Sequence, residues 1–208
     1  MSINQKRFSA RSLVVSGVLG ALSIILGVTH LGLVPWFGGA SLTFMHVPVI
    51  LAAILEGPIA GCAVGLIFGV FSLIQAAIGP TGPLDPLFVN PLISIIPRIL
   101  IGLVAALAYS AIAGKKHNAA RISLATGAAA LAGSLTNTVL VLCALKVFAT
   151  GASFAWFTWP MVGAVAAMNG LPEAALAVVL TLAIVLAYKG IAGKGKKAKL
   201  AEAEKEGE

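Results

Sequence analysis

Positive charge in this chain is confined to three short stretches, and the segments between them are apolar runs of bilayer-crossing length. Twelve of the fourteen Lys and Arg fall at Lys6, Arg7 and Arg11, at Lys115, Lys116 and Arg121, and at Lys189, Lys194, Lys196, Lys197, Lys199 and Lys205; only Arg98 and Lys146 lie elsewhere. Charged residues make up 10% of the 208 and hydrophobic ones 59%, against about 25% charged in an ordinary soluble domain. The pattern is that of a polytopic membrane protein. Its formal net charge of +7 therefore describes topology, since basic loops stay in the cytoplasm, and it argues against a nucleic-acid partner.

The apolar runs predict an all-α membrane protein, a six-transmembrane-helix bundle with both termini cytoplasmic. The spans are expected at 12–31, at a short run 44–55, and at 59–78, 90–113, 122–148 and 160–187, with about 20 residues needed for a full crossing. Residues 1–193 are expected to form one six-helix transmembrane domain, and 194–208 a charged tail in water. With six spans, all three basic clusters share a side with the termini, and the aromatic loops lie opposite. The basic start followed by an apolar run also fits a signal peptide with Gly38-Gly39-Ala40 as its cleavage site. The run from 12 to 33 is longer than a signal core, so it is read as a span.

One segment stands out, Asn-Pro-Leu-Ile-Ser-Ile-Ile-Pro-Arg-Ile-Leu-Ile-Gly at 90–102. Asn90, Ser94, Arg98 and Gly102 recur every four residues and form one stripe on a helix. A charge inside a span is costly, so Arg98 is expected to face other helices or a watery cavity. Pro97 lacks an N–H and leaves the Ile93 carbonyl free one turn earlier. Glu173 is the embedded charge of opposite sign, one turn from Asn169 and next to Pro172. Two readings stand for Arg98 and Glu173: an ion pair tying two spans together, or charges that line a substrate cavity with Asn90 and Asn169.

Other polar and aromatic positions carry paired readings too. Trp36, beside Pro35 in the loop 32–43, belongs to a lid over a site or to an interfacial turn. His46 is either a packed histidine or a ligand contact. Gln75 can reach a ligand from the end of the third span, and Asn137 sits near the middle of the fifth. Lys146 snorkels to the interface or meets an anionic substrate. Trp156, in the aromatic loop 149–159, belongs to a membrane belt or stacks on a flat ligand. In the first span, Ser16 and Gly20 are small and one turn apart, with Gly17 and Ala21 beside them. They allow close approach by another helix of this chain or of a partner. Gly61, Gly65 and Gly69 make a second such face.

Several activities have little support. Cys62 and Cys143 lie in apolar runs with no metal spacing or disulfide framework. No serine–histidine pairing suggests hydrolysis, no clustered His, Cys and carboxylates suggest a metal, and no GxxxxGK[ST] loop would bind ATP. If this chain drives uptake, a partner hydrolyses the ATP.

The segment 90–102, with Met45-His46-Val47-Pro48, Glu56-Gly57-Pro58 and Asn169-Gly170-Leu171-Pro172-Glu173, resembles the substrate-binding S components of energy-coupling factor (ECF) vitamin transporters, over nearly the whole chain. The resemblance implies a non-enzymatic subunit without a cofactor, in a prokaryotic cell membrane. It would bind a vitamin outside and work with a membrane T component and two cytoplasmic ATPases. It also implies that a small-residue face on the first helix docks on the T component, here Ser16, Gly17, Gly20 and Ala21, and that the loop after that helix is a lid. Arg98 and Lys146 suit an anionic vitamin, with pantothenate first, while the aromatic loop suits riboflavin or cobalamin. A stand-alone secondary carrier or channel is the competing class, though no internal repeat supports it.

Overall fold

A computed structural model of the chain describes residues 10–35, 41–80, 82–114 and 118–206. Its elements in chain order are α1 (Ala10–Val28), the hairpin strands β1 (Leu33–Pro35) and β2 (Ser41–Thr43), α2 (Val47–Glu56), α3 (Pro58–Ile78), α4 (Pro91–Ser94), α5 (Ile96–Ala113), α6 (Ala119–Phe148), α7 (Trp159–Val165) and α8 (Leu171–Glu206). A 3-10 turn at Asp85–Val89 precedes α4, and a π-helical turn at Ala166–Gly170 joins α7 to α8.

Among the described residues, five stretches are long and apolar enough to cross a membrane: α1, α3, α4 with α5 (Pro91–Ala113), α6, and Trp159–Gly190 from α7 into α8. The sixth expected span, α2, is ten residues long. At 1.5 Å per residue it covers only about half of a ~30 Å hydrocarbon core. The expected pattern of six helices with a short second one thus appears, among the described residues, as five full-length helices and one of half height. The chain before α2 runs extended: β2 pairs antiparallel with β1, with Val34 opposite Leu42. The Phe44 N–H then donates to the Gly32 carbonyl, and the Ser23 hydroxyl donates to the Met45 carbonyl. This arm descends beside α1 before α2 completes the distance. Non-helical backbone at such depth is tolerated where protein or a polar cavity receives its hydrogen bonds.

Polar contacts gather α1, α2, α5, α6 and α8 at one end of the bundle. Arg11 Nε lies 3.2 Å from Glu56 Oε1, Arg11 donates to the Tyr188 hydroxyl, Lys189 donates to the Tyr109 hydroxyl, and Arg121 donates to the Ile112 carbonyl. The hairpin, the loop before α4 and the loop 149–158 lie at the opposite end.

The glycine stripe of α3 packs on the segment singled out in the sequence. A Cβ on Gly61 would stand 2.7 Å from the Ala53 Cβ and 3.0 Å from the Gly102 Cα, and one on Gly69 would stand 2.7 Å from the Ser94 oxygen. Without side chains at these positions, α3 and α5 meet backbone to backbone. The apolar core falls into two clusters. One surrounds α2 (Val49, Ile50, Leu51) with Phe68, Ile101 and Ala129. The other joins Leu84, Ile93, Leu142, Leu145, Phe157 and Val165 at the hairpin end.

Candidate functional site

A cavity of ≈ 150 Å³ lies between these two clusters, where the half-length α2 leaves room. Its floor and walls combine Met45 and Phe68 from one cluster with Leu84, Leu142 and Val165 from the other. Thr43 and the end of α3 border it, as do Arg98 from α5, Asn137 and Thr138 from α6, and Asn169 and Glu173 from the α7–α8 region.

Arg98 is placed by the break in its own helix. The turn at Ile95 separates α4 from α5, and Pro97 has no N–H for the Ile93 carbonyl. That carbonyl instead accepts a hydrogen bond from Arg98 Nη1. The guanidinium lies between two rings, its Cζ 5.4 Å from the Phe68 centroid and 5.0 Å from that of Phe88, a cation–π arrangement that orients its plane. Arg98 is 5% exposed, and its Nε has no hydrogen-bond partner among the described residues.

Glu173 faces the same cavity from α8 and is 4% exposed. Its Oε1 accepts from the Thr43 backbone N–H at 2.6 Å, and the Thr138 hydroxyl lies 3.5 Å from Oε2. Among the described residues the only ion pair within 4.0 Å is that of Arg11 and Glu56. The reading of Arg98 and Glu173 as a direct pair is therefore corrected. Each satisfies a helix-breaking or extended backbone segment nearby, and the two charges look into one cavity from different walls.

The remaining candidates divide. Gln75, Asn137 and Asn169 line the cavity with Arg98 and Glu173, and the Asn137 side-chain oxygen has no hydrogen-bond partner among the described residues. The π-helical turn at Ala166–Gly170 carries Asn169; such turns insert one residue into a helix and are common at functional sites. Asn90 does not line the cavity: it caps α4, its side chain accepting from the Leu92 N–H. His46 is fully enclosed at the start of α2 and lines no part of the cavity. Lys146 lies in the last turn of α6, also off the lining. Trp156 is 42% exposed, donates to the Ser153 carbonyl and meets the buried Phe157 edge-on, so the aromatic loop caps the outer cluster and offers the cavity no ring. Trp36 lies outside the described residues.

Sequence reasoning passed over Phe68, Phe88, Ser72 and Thr43. Phe68, Ser72 and Gln75 fall on one face of α3 at positions i, i+4 and i+7, so helical spacing back from Gln75 was a usable signal. Thr43 carried none, because its role comes from a backbone N–H.

Along α1, Ser16 and Gly20 are buried within the chain, a Cβ on Gly20 standing 2.7 Å from Ile67 Cδ1. Gly17 and Ala21 face outward, with nothing within 4 Å of a Cβ on Gly17. The small-residue stripe is therefore split between internal packing and an exposed face.

Residues 11–185 match the family described as ECF transporter, substrate-specific component. The chain belongs to this family. Among its relatives, this substrate-specific component is 32% identical over 194 residues to the pantothenic acid transporter PanT of Lactococcus lactis subsp. cremoris (strain MG1363), covering 86% of this chain and 94% of that protein. It is 36% identical over 87 residues to the pantothenate transporter PanT of Leuconostoc mesenteroides subsp. mesenteroides, covering 38% of this chain and 43% of that one.

Proposed function

We propose that this chain is the pantothenate-binding subunit of an ECF-type importer, capturing the vitamin outside a prokaryotic cell and passing it inward with a T component and two ATPases. The observation that carries the ligand reading is Arg98: a buried guanidinium, oriented by Phe68 and Phe88, facing a cavity with donors to spare. A carboxylate is the ligand group that such a planar, charged donor best receives. Asn137, Asn169 and Gln75 supply neutral donors and acceptors along the other walls, suited to amide and hydroxyl groups. The names of the two relatives support the same vitamin.

Orientation follows from charge. Arg11, Arg121 and Lys189 share one end of the bundle, and basic flanks stay cytoplasmic. This charge distribution supports a reading with both termini inside, 194–208 as a cytoplasmic tail, and the cavity end outside. The outward Gly17 and Ala21, with Ser16 and Gly20 packed behind them, form the face proposed to meet the T component.

Native mass spectrometry of the detergent-purified chain, followed by thermal shift with pantothenate, riboflavin, thiamine and biotin, tests the reading. Pantothenate is expected to co-purify or to stabilise, since a ligand of the folded state raises stability with concentration over Kd. A shift by another vitamin and none by pantothenate would overturn the ligand. Uptake into liposomes by the chain alone, without ATPases, would favour the carrier class.

A further inference from the structure

The arm at 41–46 is held to α1 by the bond from the Ser23 hydroxyl to the Met45 carbonyl, and to the turn after α1 by the bond from the Phe44 N–H to the Gly32 carbonyl. Across the cavity, one polar contact ties it to α8: the Thr43 N–H donates to Glu173 Oε1 at 2.6 Å. Thr43 and Glu173 both line the cavity, so this bond spans the space between the α1–α2 side and the α6–α8 side. A carboxylate in a pocket that also holds the Arg98 guanidinium needs an explanation. Pairing with Arg98 is not it, since the nearest partners of Glu173 are Thr43 and Thr138.

We infer that Glu173 is a positioning residue, clasping the hairpin's inner arm onto α8 and so setting how fast a ligand leaves the cavity. The chemistry is that of a part-buried backbone N–H at the cavity wall, which the Glu173 carboxylate satisfies as a fixed acceptor. The Thr138 hydroxyl lies beside the second carboxylate oxygen, at 3.5 Å, and also reaches the Ser134 carbonyl of its own helix at 3.3 Å. While the bond holds, the arm closes the cavity on its α2 side; when it breaks, the arm remains tied to α1 and swings with it. This role rests on the reading that the cavity holds pantothenate.

The test compares the full-length wild type with Glu173→Ala and Glu173→Gln in nanodiscs. One arm measures amide exchange at Thr43 without ligand, and the other measures association and release of radiolabelled pantothenate. Glu173→Ala should speed Thr43 exchange and pantothenate release by about tenfold or more, the effect of losing a hydrogen bond to a charged acceptor, with association little changed. Glu173→Gln keeps an acceptor oxygen and should restore both to within about threefold of wild type. Unchanged Thr43 exchange in Glu173→Ala would reject the clasp. If Glu173→Gln released ligand as fast as Glu173→Ala despite a protected Thr43, the carboxylate would be acting on the ligand by charge, and the proposal would fall. If Glu173→Ala does not fold, Thr43→Pro removes the donor instead, and slow release from that variant overturns the idea. A wild type that ignores pantothenate would end the ligand reading and the release role with it, while Thr43 exchange would still accept or reject the clasp.

Discussion

Gly65 offers the sharpest test of how the site is built. Its missing side chain lets α3 lie on the backbone of Arg98: a Cβ there would collide with the Arg98 carbonyl oxygen, stand 2.8 Å from its carbonyl carbon and 3.1 Å from the Ile99 Cα, where ordinary contact begins at 3.4 Å. Backbone cannot rotate away as a side-chain tip can, so Gly65→Ala must push α5 from α3 by more than half an ångström. Overpacking of this kind costs about 1–3 kcal/mol, and the gain from replacing a helical glycine by alanine returns roughly 0.5–1 kcal/mol. The net loss is about 1–2 kcal/mol, or about 2–8 °C in Tm for a chain of this size. Because the displaced residue is Arg98 itself, pantothenate affinity should fall by about tenfold in addition. Thermal unfolding in detergent and calorimetric titration would measure the two effects. Gly17→Ala is the control: with open space around its Cβ it should keep only the helical gain of roughly 0.5–1 kcal/mol and leave affinity unchanged. A Gly65→Ala protein as stable and as tight-binding as wild type would refute the claim that backbone contact between α3 and α5 places the guanidinium.

Other outcomes follow from the same geometry. Arg98→Lys keeps a charge but loses the planar fork held between two rings, and affinity should drop by about tenfold or more; unchanged affinity in titration would remove Arg98 as the carboxylate anchor. Gly17→Leu should weaken assembly with the T component in co-purification while leaving pantothenate binding intact. Gly20→Leu, driven into Ile67, should lower Tm first, and the opposite ranking would count against the inward and outward division of α1. Phe157→Ala empties a fully buried site and should cost about 3–5 kcal/mol. Trp156→Ala should change affinity by less than about twofold, and a larger loss would bring the aromatic loop back into the site.

The sequence was most readable where one residue type had a single physical reason to be present. Apolar runs long enough for a bilayer marked the long helices, and Pro97 with Arg98 marked a broken helix beside a buried charge. The Ile93 carbonyl freed by that proline is the one Arg98 takes. Reading was poorer where a role depends on what lies opposite. Asn90 shares the stripe of Arg98, yet a helix start turns its side chain to its own backbone. Arg98 and Glu173 invited pairing because they are opposite charges in lipid, and nothing in the spacing reveals that each is engaged by backbone. The short α2 was visible as a short apolar run, but an extended arm in place of its upper half was not, since hairpin strands of three residues leave almost no pattern. Ser16, Gly17, Gly20 and Ala21 announced a small-residue face, whereas which of them point inward is decided by Ile67 on another helix.

The half-height α2 divides the labour along the length of every other helix. Below it, α3, α5 and α6 are wedged around a sixth rod, and their small residues at Gly61, Gly102, Ala129 and Gly133 answer only to steric fit. Above it, the same helices surround space, and Gln75, Arg98 and Asn137 line that space. Changes of ligand preference can then accumulate in the upper storey, a few side chains at a time, over a foundation that never meets the cargo. A library that randomises the upper positions and leaves the lower ones fixed should yield folded proteins far more often than one built the other way round.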